Sequence, residues 1–119
     1  MEKKIMSWIG HRFESSTVRT PEYQSFERAM RANLRKQCKE NGLELVSFLP
    51  MHFQFSAVVK GVESGKYAYI SISDVRFFQD EWVKHTLYRI MKHDHDWSGG
   101  SNQYCAWENV GANARKLCA

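Results

Sequence analysis

Residues able to do chemistry gather in three places. Between Lys92 and Asn102 the chain reads KHDHDWSGGSN, with His93 and His95 alternating with Asp94 and Asp96. In an extended segment both histidines face one way and both aspartates the other. Imidazole and carboxylate are ligand types for zinc or another transition metal. A closed site needs more ligands than this pair supplies, and His11, His52 and His85 stand in other elements with no partner motif. The expectation is therefore no bound metal and no cofactor. Two other readings suit the segment better. Asp94 and Asp96 can form side-chain turns, with Gly99 and Gly100 supplying positive φ. Alternatively SGGSN makes a backbone nest for an anion, although the Lys-Ser/Thr ending of a Walker loop is missing. The expected arrangement is an ordered turn anchored by Trp97, with His95 and Asn102 accessible to a partner.

The second place is a basic stripe. At 100° per residue, Arg28, Arg31, Arg35 and Lys39 fall within about 80° of one another on a helix and span roughly 17 Å. The planar donor fork of arginine suits phosphates. Glu27 and Arg31 also have the spacing of an ordinary i,i+4 ion pair, which accounts for one cation of the four. The third place is a strand face carrying Tyr67 and Tyr69, with His52 and Lys60 beside them. Such a face resembles the stacking platforms that hold single-stranded nucleic acid. Tyrosine is equally an ordinary strand former, and an N-terminal arm bearing Trp8 could cover it. A catalytic nucleophile has no support: G-x-S-x-G is absent and no signature surrounds Cys38, Cys105 or Cys118. Three widely spaced cysteines without C-x-x-C read as buried thiols of a reduced, cytoplasmic protein.

The elements that must position these residues are legible from periodicity. TPEYQSFERAMRANLRKQCKENG opens with Thr20 as N-cap and Pro21 at the first helical position. Glu22 complements the helix dipole, and Asn41-Gly42 supplies the left-handed stop. Tyr23, Phe26, Met30, Leu34 and Cys38 form its apolar stripe. LELVSF, HFQFSAVVK and KYAYISIS then predict three strands, the last two joined by the turn GVESG as an antiparallel hairpin. Phe53, Phe55, Ala57 and Val59 share its apolar face with Ala68, Ile70 and Ile72. After DVRFF, Asp80 caps a predicted second helix, EWVKHTLYRIMK, with Val83, Leu87, Ile90 and Met91 inward. A last helix is predicted in WENVGANARKL, with Val110, Ala114 and Leu117 inward. The fold class is α+β: a three-stranded antiparallel sheet with helices on one face, in the order α-β-β-β-α-α. A fourth strand can come from the arm at 1–19, where Ile5, Met6, Trp8, Ile9 and Phe13 cluster.

Composition agrees with one domain over residues 1–119. The chain has 43% hydrophobic and 25% charged residues with two prolines, enough for a core and unlike a disordered segment. No apolar run approaches the ~20 residues needed to cross a bilayer, and MEKKIMSWIGHRF lacks the apolar centre of a signal peptide. Residues 1–42 hold nine Lys/Arg against five Glu, so the basic excess lies in the first third and points to an acidic partner.

Two resemblances follow. The order α-β-β-β-α from Thr20 to Met91 resembles a double-stranded-RNA-binding domain. That family opens its last helix with lysines, whereas DEWVKHTLYR stands here, so the likeness is topological. The segments YAYISISDVRFF and LYRIMKHDHDWSGGSNQY are similar to short proteins carried by phages, plasmids and integrative elements of low-GC Gram-positive bacteria, over about Tyr23 to Leu117. Some accessory proteins of such elements are anti-CRISPR or other anti-defence inhibitors without enzymatic activity. The resemblance implies a non-enzymatic binding role against a host defence protein or nucleoprotein complex. Arg28, Arg31, Arg35 and Lys39 would carry it, with the loop 93–102 as a second contact. A direct RNA- or DNA-binding domain using the stripe with Tyr67 and Tyr69 is the second reading. A metal-dependent hydrolase built on His93, Asp94, His95 and Asp96 is the third.

Overall fold

A computed structural model describes residues 21–49, 55–72, 86–92 and 100–119. The arm at 1–19, Thr20, His52, Phe53, Asp80, Val83 and the stretch 93–99 lie outside the described residues. So do the side chains of Glu22, Tyr23 and Phe55.

Helix α1, Pro21–Glu40, leads into strands β1 (Leu43–Leu49), β2 (Phe55–Gly61), β3 (Tyr67–Ile72), β4 (Thr86–Met91) and β5 (Gln103–Cys105). A 3₁₀ turn at Trp107–Asn109 then enters α2, Val110–Leu117. The strands form one antiparallel sheet in the order β1-β2-β3-β4-β5. The class is α+β as expected, but among the described residues the sheet has five strands, not three.

The difference arises at Thr86–Met91, which is strand β4 and not part of a helix. Leu87, Ile90 and Met91 have helical spacing, but they lie on both sides of a strand. Ile90 pairs with Ala68 on the helix-covered face, while Leu87 and Met91 pair with Ser71 and Tyr67 on the other. Apolar residues on both faces erase the period-two signal that would have marked a strand. In the order α-β-β-β-α that resembles a double-stranded-RNA-binding domain, Thr86–Met91 is strand β4 where the resemblance implies the last helix.

The first helix forms as its stripe dictates. Phe26, Met30, Leu34 and Cys38 are buried against Leu43, Ala57, Val59, Ala68, Ile70 and Ile72. Full burial of each large side chain contributes about 1.5–3 kcal/mol. Gly42, at φ 65°, ends the helix, and its carbonyl accepts from Val62 N–H at 3.0 Å. The hairpin is also as expected: Lys60 pairs with Tyr67, and Gly65 takes φ 72° in the connecting turn.

The second sheet face differs from the polar surface that alternation predicts. Val58, Tyr69 and Met91 form a small buried cluster there, with Tyr67 and Leu87 packed beside them. Among the described residues, no helix is long and apolar enough to cross a membrane.

Candidate functional site

The surface most suited to binding is the outward side of α1. Because one side of this helix is buried in the core, the residues half a turn away must face solvent. Gln24, Arg28, Ala32, Arg35, Lys36 and Lys39 are exposed. Arg28, Arg35 and Lys39 fall within about 40° on the helical wheel and span about 17 Å. Arg28 donates to Ser25 Oγ at 3.3 Å. No ion pair joins Arg28, Arg35 or Lys39 to a carboxylate among the described residues. Three like charges with no ion-paired carboxylate among the described residues create a local positive field.

Arg31 belongs to a different arrangement. Its Nη2 bonds Glu27 Oε1 at 2.6 Å, and its guanidinium lies 4.9 Å from the centre of the Phe48 ring on β1. The side chains of Arg31 and Glu27 keep 35% and 14% of their exposure. Arg31 thus ties α1 to the edge of the sheet, with its charge balanced by Glu27. Four aligned cations become three aligned cations and one structural arginine. Arg31→Ala should lower unfolding stability by about 1–2 kcal/mol, from the lost cation–π contact and the ion pair. Urea denaturation measures this, and an unchanged midpoint would show the contact to be idle.

The two tyrosines are not equivalent. Tyr67 is half-buried, with Lys60 Nζ 5.5 Å from its ring centre. Tyr69 is only 6% exposed, and its hydroxyl bonds Ser56 and Ser71. Burial pushes its phenol pKa upward. A stacking platform needs open ring faces, so Tyr69 cannot serve as one in this structure.

In the loop, His93, Asp94, His95, Asp96 and Trp97 lie outside the described residues. Beyond them, Asn102 is exposed and its Oδ1 accepts from Arg89 Nη1 at 3.0 Å. Arg89 Nη2 donates to the Gly100 carbonyl at 2.7 Å. Arg89 therefore clamps residues 100–102 to β4. Gly42 and Gly65 are the positive-φ glycines among the described residues. Gly100 serves close approach instead, since a Cβ there would stand 2.6 Å from the Ile90 carbonyl oxygen.

The thiols are poor nucleophile candidates. Cys38 is buried and its pKa is pushed up to about 12, first by burial and then by the neighbouring Cys118. Burial likewise raises Cys105 to about 11, against a lowering hydrogen bond from Asn113. All three cysteines are free, and Cys38 and Cys105 remain neutral thiols at physiological pH. Among the described residues no group of His, Cys, Asp and Glu is arranged to hold a metal.

A buried polar clasp escaped sequence reasoning. Trp107 Nε1 and Gln37 Nε2 both donate to Asn33 Oδ1, at 2.8 and 2.9 Å. Gln37 Nε2 also reaches the Trp107 carbonyl at 3.0 Å, and its Oε1 accepts from Gly111 N–H at 2.8 Å. These bonds join α1 to α2 on the buried side of α1. The sole sequence signal is that Asn33 and Gln37 lie i,i+4 beside the apolar stripe. Comparison with protein-family models, curated proteins and solved structures finds no match to this chain.

Proposed function

We propose that this is a small non-enzymatic binding protein of a mobile element. It docks on the nucleic-acid component of a host defence complex through the exposed ridge of α1. The observation that carries the reading is the alignment of Arg28, Arg35 and Lys39 on the solvent side of a helix anchored by its opposite side. Among the described residues no carboxylate is ion-paired with these charges, so an acidic surface can meet them. The defence setting is what the resemblance of YAYISISDVRFF and LYRIMKHDHDWSGGSNQY to proteins of phages and integrative elements implies. Asn102 and His95 remain candidates for a second contact.

The experiment is capture of the complex from a bacterial host lysate on immobilised protein. Arg28→Glu/Arg35→Glu should reduce recovery at least about 10-fold, the scale of one charge-assisted contact. Both positions are exposed, so the variant should keep its thermal midpoint. Equal recovery on wild type and variant would sink the reading.

A further inference from the structure

We propose that the outer edge of β1 takes up an extended, acidic segment of a partner protein as an added strand. This goes beyond the reading above: the partner is a protein, and the contact is the sheet edge and not the ridge. β1 ends the sheet and, among the described residues, pairs only with β2. Two bonds fix the direction of its backbone groups. Val62 N–H donates to the Gly42 carbonyl, while Gly61 N–H turns the other way, to the Lys66 carbonyl. Leu43, opposite Gly61, is therefore a non-bonded position of the antiparallel ladder, and so is Leu45, opposite Val59. The N–H and C=O of both leucines point away from β2. Among the described residues no backbone bond meets them there.

Lysine and proline, which commonly guard such an edge, are missing from LELVSFL. Of the four large apolar side chains exposed among the described residues, Val46 and Leu49 stand on this strand. The register shifts at Val46, so an added strand pairs over Leu43–Leu45 with the bulged Val46 beside it. Charge selects the occupant. The Arg31 guanidinium over Phe48 marks the flank of α1 that faces the β1 edge. Asn33 and Gln37, which hold α2, lie about 120–160° round the helix from Arg31. Arg35 and Arg28 lie only about 40° and 60° from it, and both are exposed. A residue paired with Leu45 points, as Leu45 does, to the face that α1 covers. A carboxylate at that place lies against the cationic flank. A second copy of the chain fits badly. Two-fold pairing of β1 with itself sets two α1 helices side by side on one face, with Arg28, Arg31 and Arg35 against their own copies.

The test is amide hydrogen exchange of the intact protein, read by NMR, with a peptide of about eight alternating Glu and Val residues and with its Lys–Val counterpart. The Glu–Val peptide should slow exchange at Leu43 and Leu45 at least about 10-fold. Exchange at Glu44, whose N–H faces β2, should stay unchanged. The Lys–Val peptide should leave all three amides as they were. Protection by neither peptide would overturn the added strand, and equal protection by both would overturn the acidic partner. Slow exchange at Leu43 and Leu45 in the protein alone would also overturn the proposal, because the edge would then already be taken.

Discussion

Trp107→Ala is expected to lose about 3–5 kcal/mol of unfolding free energy, a large fraction of what a domain of this size holds. Trp107 is fully buried and is among the largest such side chains. Its removal opens a cavity between α1, α2 and the sheet. It also withdraws the indole N–H from Asn33 Oδ1, an acceptor that Gln37 Nε2 shares. Trp107→Phe separates the two effects. It keeps most of the ring volume and loses only the donor, so it should cost about 1–2 kcal/mol. Urea unfolding followed by circular dichroism measures both variants. Equal, small losses in the two would show that the clasp does not hold α2 in place.

Gly100→Val is expected to cost about 2–4 kcal/mol, combining overpacking with lost hydrogen bonds. A Cβ at this position meets the Ile90 carbonyl oxygen at 2.6 Å and Arg89 Nε and Nη2 at 3.0 Å. The carbonyl belongs to the backbone of β4 and cannot swing aside. The segment must lift away, breaking the Arg89 bonds to Gly100 and Asn102. Pairing of the short β5, in which Tyr88 faces Gln103, then weakens with it. Because the obstruction is the Cβ atom, Gly100→Ala should also destabilise. A thermal melt in which Gly100→Ala matches the wild type would remove the close-approach argument.

Much of the first half was legible because its signals are local. Helix α1 declares itself through a 3.6-residue stripe, its Pro21 start and the Gly42 stop. The β2–β3 hairpin follows from alternation about a glycine-bounded turn. The basic stripe was legible too, since helical geometry alone aligns Arg28, Arg35 and Lys39. Arg31 needed the fold. Its pairing with Glu27 is written in the spacing, but the Phe48 ring that it covers comes from a strand seventeen residues further on.

The chain by itself therefore determined an α+β domain with one amphipathic helix, a hairpin and a cationic helix face. Only tertiary structure decided the state of Thr86–Met91, the burial of Tyr69 and the joining of α1 to α2 through Asn33 and Gln37. A segment whose two faces both become buried shows no polar side from which a period can be read. Asn33 and Gln37 look like misplaced polar residues until Trp107 and Gly111 arrive from more than seventy positions away. Their role is set by contacts between distant parts of the chain, because a buried polar group is stabilised only by the partner that the fold brings to it.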